Sequence, residues 1–316
     1  MKTGIVMEGG AMRGMFTAGL LDVLMESDIR FDGAVGVSAG ATFGCNLKSH
    51  QIGRTLRYNK KYCRDKRYAS LESLIRTGDI FNAEFDYDEI PNRLDPYDTE
   101  AALKEPMDFW VVCTDADSGR PVYHRCDFSR KDEVQWLRAS ASMPLLSNIV
   151  YCSGTVLTCD RTDEECTDFN KKYTGLTTGT GPGQVNMGLS DGGTSDSVPV
   201  SFFEDLGYDR ILVICTQPEG YRKKKSPLMP LIELCLRKHP MLAEALRTRP
   251  DRYNAQMELL DRAAESTSGR IMVIRPEAEL GIKKIVHDPD EIQRVYDIGR
   301  RMGEKKLDSI RSFLTG

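Results

Sequence analysis

A chain of 316 residues, 40% hydrophobic and 28% charged, can form one large domain or a domain with an appendage, and its composition is that of an ordinary globular protein. A formal charge of −4 argues against nucleic acid as an overall partner, and no run approaches the roughly 18 apolar residues needed to span a bilayer as a helix. Lys2 to Met7 leads straight into a glycine turn with no room for a signal peptide, and nine scattered cysteines read as intracellular free thiols, so a cytoplasmic protein is expected.

Ile5, Val6 and Met7 form a short apolar strand. Glu8-Gly9-Gly10-Ala11-Met12-Arg13-Gly14 follows as a glycine turn, and Met15, Phe16, Leu20, Leu21, Val23 and Leu24 then repeat at helical spacing. The turn lacks the Lys-Ser/Thr of a P-loop and is not G-x-G-x-x-G, so nucleotide binding is poorly supported. It is either a structural turn or a row of backbone N–H groups that could hold a developing oxyanion.

The second unit runs from Phe31 to Val37 and into a helix from Ala41. Between them lies Gly36-Val37-Ser38-Ala39-Gly40, in which a G-x-S-x-G turn would lift a serine hydroxyl clear of the sheet. Ser38 is the candidate nucleophile; the alternative is a serine that caps a helix. Two such units indicate a parallel α/β sheet with ligands at the carboxyl ends of its strands.

Lys48, Arg54, Arg57, Lys60, Lys61, Arg64, Lys66 and Arg67 form a basic run, either a solvated helical surface or a patch for anionic lipid headgroups. Leu71 to Ile80 reads as helix and turn, and Ile90 to Pro96 as a connection broken by prolines. Phe109 to Cys113 with Asp117-Ser118-Gly119 and Pro121-Val122-Tyr123 predicts a hairpin. A helix around Val134 to Ala141 ends at Pro144, and the small residues Ser140-Ala141-Ser142 would allow close packing beneath a pocket. Cys152, Cys159 and Cys166 lack a C-x2-C element or paired histidine, so no metal is expected there. Thr177 to Gly183 has a flexible-loop composition.

Asp191-Gly192-Gly193 is an ordinary turn or a carboxylate held close to neighbouring backbone, where it could accept a serine proton. Ile211 to Ile214 and Ile271 to Ile274 are further strands, Leu228 to Leu246 is helical in pattern with interruptions expected at Pro230 and Pro240 near its margins, and Asp290 to Phe313 closes the chain as a helix.

The turn at 8–14, Gly36-Val37-Ser38-Ala39-Gly40 and Asp191-Gly192-Gly193 together resemble the patatin-like phospholipase family, in particular its bacterial branch. The resemblance covers roughly Lys2 to Pro218. It implies a three-layer α/β/α fold with a mostly parallel central sheet and hydrolysis of acyl esters or phospholipids by a serine–aspartate dyad without a cofactor. By motif position Ser38 matches the nucleophile and Asp191 the base. Gly9, Gly10 and Ala11 match the oxyanion loop, and Arg13 matches the basic residue that follows. Ala11 stands where the family commonly has a third glycine.

Asn170-Lys171-Lys172-Tyr173 resembles a hairpin strand that normally runs nearly directly into Asp-Gly-Gly, so Thr174 to Ser190 reads as an insertion, either a lid or an element that displaces Asp191. The expected organisation is a catalytic domain over 1–225 and a mainly helical extension with one strand over 226–316, packed on the same domain. Two other readings stay open. A Ser-His-Asp esterase would draw on His239 or His287, since His50 and His124 come too early for that order. A catalytically weak or inactive acyl-lipid binding module would use the same fold without the chemistry.

Overall fold

The computed structural model describes residues 1–159, 173–178, 186–265 and 269–316. Cys166, Asn170 to Lys172 of the expected hairpin strand and 179–185 of the expected insertion lie outside the described residues.

The strands are β1 (Thr3–Met7), β2 (Gly33–Val37), β3 (Asp108–Asp115), β4 (Pro121–Arg125), β5 (Val150–Cys152), β6 (Gly154–Cys159), β7 (Tyr173–Thr178), β8 (Met187–Asp191), β9 (Arg210–Ile214) and β10 (Ile271–Ile274). They form one sheet in the order β10-β9-β1-β2-β3-β4-β6-β7, with β8 pairing β3 and β5. The expected parallel arrangement holds across β10-β9-β1-β2-β3. Beyond β3 the pairings are antiparallel, because a short turn with Gly119 at φ 70° joins β3 to β4 and leaves no crossover helix.

Alternation within a strand explains the layering. In β1, Ile5 and Met7 enter one apolar cluster and Val6 enters another on the opposite face, and all three are fully buried. A strand buried on both faces has to be covered by helices on both sides.

The helices are α1 (Gly14–Glu26), α2 (Ala39–Lys48), α3 (Arg54–Tyr62), α4 (Leu71–Thr77), α5 (Thr99–Lys104), α6 (Val134–Ser140), α7 (Val200–Asp205), α8 (Met229–Cys235), α9 (Pro240–Glu265) and α10 (Pro289–Thr315). Phe85–Leu94 adds a π-type helix. This differs from the connection expected around Pro91: the wider turn accommodates the proline within the helix. The helical pattern over Leu228 to Leu246, expected to be interrupted at Pro230 and Pro240, is two helices. Pro230 and Pro240 each lie at a helix start, where the missing N–H costs nothing, and the second helix continues through Pro250 to Glu265.

The C-terminal segment joins the same sheet through β10. It also returns onto α1, where a side chain at Gly19 would strike the Tyr296 backbone and one at Gly299 would strike that of Phe16. Tyr296 donates to Asp22 at 2.6 Å across this crossing. Two glycines thus let α10 lie directly against the helix that follows the first turn.

Candidate active site

β3 determines where the two principal residues meet. β2 ends with Val37 opposite Val112, and the antiparallel β8 ends with Asp191 opposite Cys113. The two strands approach end to end along one edge of β3, so residues 153 positions apart become neighbours: the Ser38 hydroxyl donates to Asp191 Oδ2 at 2.9 Å.

The glycines around each residue have specific obstacles. A Cβ at Gly36 would strike the backbone of Ala41, and one at Gly40 would strike the Met7 carbonyl. α2 can therefore start tight against the ends of β1 and β2, and Ser38 is held at φ 53°, ψ −120°. That is the strained strand-to-helix turn anticipated from G-x-S-x-G. A side chain at Gly192 would meet the Val112 carbonyl, which explains why the aspartate is followed by glycine.

Asp191 is fixed from several sides. Its Oδ1 accepts from the Gly193 N–H at 2.8 Å, its own N–H donates to the Ser142 carbonyl at 2.8 Å, and its carbonyl accepts from the Thr114 hydroxyl at 2.8 Å. Burial pushes its pKa above the usual carboxylate range, against the lowering influence of Arg249 and of the Ser38 and Gly193 hydrogen bonds. A carboxylate shifted upward accepts a proton more readily than one in water. Asp191 stands at hydrogen-bond distance from Ser38 and is not displaced; β8 runs directly into it. Thr174–Thr178 and Met187–Ser190, read from sequence as insertion, are strand residues of β7 and β8.

Gly9 and Gly10 lie directly beside the serine turn: a Cβ at Gly9 would come within 2.9 Å of the Val37 carbonyl and 3.0 Å of Ser38 Cβ. Among the described residues their N–H groups have no hydrogen-bond partner, which leaves them available to an incoming oxygen. Ala11 adopts φ 47°, the left-handed region that a glycine would occupy without strain. Glu8 anchors the loop: its carboxylate accepts from Thr216 N–H at 2.5 Å and from the Tyr253 hydroxyl at 2.9 Å. Arg13 lines one cavity with these glycines, its Nε buried and without a hydrogen-bond partner among the described residues.

Ser38 lies at the junction of two cavities. One, about 980 Å³, is bounded near the serine by Ala39, Thr42, Phe43 and Met143 and elsewhere by Tyr58, Phe81, Ile90, Phe128 and Leu137. The other, about 310 Å³, contains Gly9, Gly10, Arg13, Asp191, Lys223 and Arg249. The first is largely apolar and the second is basic.

Sequence reasoning missed several contributors. The Ser140 hydroxyl accepts from the Ser38 N–H at 2.8 Å and donates to the Val112 carbonyl at 2.6 Å, tying the serine turn to β3. The run of small residues at 140–142 was its only signal. Lys223 and Arg249 had none, since a cation near or on a helix reads as solvated surface.

The histidines are elsewhere. His239 Nδ1 lies 3.5 Å from Asp117, His287 Nδ1 is 2.6 Å from the Cys63 carbonyl and His124 Nε2 is 2.8 Å from Glu133. None of the four histidines is hydrogen-bonded to Ser38 or Asp191, so the geometry does not favour a triad. Among the described residues one group, His124, Cys126 and Glu133, has potential metal-ligand atoms within 4.8 Å of one another, and His124 and Glu133 already satisfy each other there.

The basic run is largely engaged. Arg54 and Arg57 pair with Asp95, Arg67 with Asp65 and Lys66 with Glu72, while Lys48 donates to the carbonyls of Glu105 and Met107. Exposed leucines occur instead at Leu228, Leu231 and Leu234 of the α8 segment, alongside exposed Lys224, Arg237 and Lys238. No described helix is long and apolar enough to cross a membrane.

A strand-turn-helix serine bonded to a buried aspartate, beside free amides of a glycine turn, is an arrangement that could carry acyl transfer. Residues 5–203 match the patatin-like phospholipase family, and the chain belongs to that family, one of lipid acyl hydrolases. Residues 239–315 match a domain of unknown function (DUF6363). The uncharacterized protein YjjU of Escherichia coli (strain K12) is 25% identical over 224 residues, covering 69% of this chain and 52% of its own length. The chain thus spans about half the length of that curated relative. The crystal structure of VipD from Legionella pneumophila is similar at a TM-score of 0.42 and 12% identity, covering 98% of this chain and 67% of that one.

Proposed function

We propose that the protein is a serine esterase of phospholipase A type, which cleaves acyl esters of amphiphilic lipids with Ser38 as nucleophile and Asp191 as general base. The observation that carries this reading is the 2.9 Å bond between the Ser38 hydroxyl and a buried, pKa-raised Asp191 at the junction of an apolar and a polar cavity. The acyl chain enters the apolar cavity and the alcohol portion occupies the basic one.

Asp191 Oδ2 takes the serine proton as Oγ attacks the ester carbonyl, and the N–H groups of Gly9, Gly10 and Ala11 hold the resulting oxyanion. Collapse breaks the ester C–O bond, and the leaving alcohol oxygen takes the proton from Asp191. A water then attacks the acyl-enzyme, giving its proton to Asp191. The proton passes to Ser38 as the fatty acid leaves. Arg13, which lines the same polar cavity as the glycine turn, adds positive potential there.

Access to lipid is proposed through the α8 segment rather than the basic run at 48–67. Its exposed leucines would enter the headgroup boundary of an anionic bilayer, and the adjacent lysines and arginines would add attraction worth about 1 kcal/mol per well-placed charge at low salt. The engaged state of Arg54, Arg57 and Lys48 supports this shift.

Fatty-acid release from micellar phospholipid and from a neutral carboxylic ester, measured for wild type and S38A, tests the reading. Release by wild type and none by S38A is expected. No release from either ester, with fatty acid retained by the purified protein, would instead indicate an acyl-lipid binding module.

A further inference from the structure

The basic cavity beside Ser38 is unbalanced in charge. Arg13, Lys223, Lys224, Arg249 and Lys284 line it, and among the described residues Asp191 is the only carboxylate that does. None of these five cations forms an ion pair among the described residues.

One of them, Arg249, borders the dyad, and Lys223 lines the same cavity. An Arg249 Nη nitrogen and Asp191 Oδ1 both lie within 3.1 Å of the point a Gly193 Cβ would occupy, so the guanidinium borders the catalytic carboxylate across a glycine. Arg249 Nε is buried with no hydrogen-bond partner, and so is Arg13 Nε. Lys223 is held in place by its backbone, whose N–H donates to Asn254 Oδ1 at 2.8 Å, while its ammonium lies 3.8 Å from the Tyr253 ring centroid. Tyr253 in turn bonds to Glu8, the anchor of the glycine turn.

Buried donors without acceptors and like charges held together are costly unless an anion joins them. The strain registers at Lys223. Burial, and after it Arg249, pushes this ammonium's pKa down to about 7; Arg13 acts in the same direction, and Glu8 and Asp191 oppose it. A charged phosphate oxygen between Lys223 and Arg249 would relieve both groups with charge-assisted hydrogen bonds.

Lys223 and Arg249 both lie beyond residue 203, where the patatin-like match ends, and Arg249 lies inside the C-terminal match of unknown function. That segment sends α9 over the end of the sheet and so contributes to the catalytic cavity as well as to packing. We infer that Lys223 and Arg249 form a subsite for a phosphate group carried on the alcohol side of the substrate, so that the C-terminal segment selects anionic phospholipid esters over neutral ones. The inference rests on the proposed esterase reading for its ester, but the anion subsite can be tested without turnover.

Two measurements decide it. The first compares kcat/KM for a monomeric short-chain diacylglycerol phosphate with that for the matching neutral diacylglycerol, in wild type, K223Q and R249Q. Wild type should prefer the phosphate ester, and each variant should lower the preference ratio at least about tenfold, mainly through KM for the phosphate ester. An unchanged ratio overturns the proposal. The second is calorimetric titration of S38A with the short-chain diacylglycerol phosphate, with glycerol phosphate and with inorganic phosphate, repeated in S38A/R249Q. Expected is binding of the ester and of glycerol phosphate, weakened at least tenfold in the double variant, with inorganic phosphate weaker. Equal affinity for inorganic phosphate and the ester would make this a site for free phosphate and overturn the headgroup assignment. No binding of any of the three overturns the subsite altogether. A protein that binds the phosphate ester but hydrolyses nothing would keep the subsite and reject the esterase reading.

Discussion

Replacing Asp191 with asparagine keeps the shape of the Ser38–Asp191 pair while removing the proposed base. The structure also dictates how the new amide turns. The Gly193 N–H, 2.8 Å from Oδ1, requires an acceptor, so the amide oxygen faces Gly193 and the NH2 group faces Ser38. Ser38 then meets a donor where it needs a proton acceptor. No histidine is bonded to either residue to take over. Loss of a positioned general base costs about 10²- to 10⁴-fold in turnover, which is about 3–5 kcal/mol at 1.36 kcal/mol per tenfold.

Stability should move the other way. The Asp191 pKa is higher in the folded chain than in the unfolded one, so the folded state binds its proton more tightly. Ionisation therefore costs stability as pH rises from the unfolded value through the folded one, and the cost persists at neutral pH. Asparagine has no such cost. Initial rates on a soluble ester, with thermal melts at pH 7, should show D191N nearly inactive and no less stable than wild type. Turnover within about tenfold of wild type, or inactivity accompanied by a large fall in Tm, would refute the reasoning.

Other consequences follow from the same contacts. S140A leaves the Ser38 N–H and the Val112 carbonyl without partners, which should cost about 1–3 kcal/mol in chemical denaturation and lower kcat; unchanged stability would show that the tie to β3 carries no energy. A11G removes left-handed strain of about 1–2 kcal/mol against an added unfolded-chain entropy of about 0.5–1 kcal/mol, so Tm should hold or rise; a clear fall would contradict the assigned backbone. Wild-type kcat/KM should fall with falling pH around a midpoint above the ordinary aspartate value of 3.8, as Asp191 gains a proton; a profile flat down to that value would argue against Asp191 as the base.

The parts of the site that could be read in advance are those encoded locally. Gly36 and Gly40 mark a strand-to-helix turn because a side chain at either would strike backbone within the same two βα units, and Gly192 marks a close approach that follows directly after the aspartate. What joins these pieces is not local. The end-to-end meeting of β2 and β8 along β3 depends on pairings of Val37 with Val112 and of Cys113 with Asp191, which no spacing in the chain records.

Charge was read least well, for the same reason. The cations at 48–67 look solvated until Asp95, far along the chain, folds against Arg54 and Arg57. Lys223 and Arg249 look like surface until the C-terminal helices bring them over the glycine turn. Pro91 was misread as a breaker because a tight helix excludes it, whereas the wider π-type turn over Phe85–Leu94 does not.

Ser38 is proposed as the nucleophile. Treating the purified protein with a serine-directed fluorophosphonate and mapping the adduct by peptide mass spectrometry tests it most directly. One adduct on the peptide containing Ser38 is expected, with loss of ester hydrolysis in proportion to labelling and neither labelling nor turnover in folded S38A. An adduct on another residue, or full turnover by S38A, would contradict it.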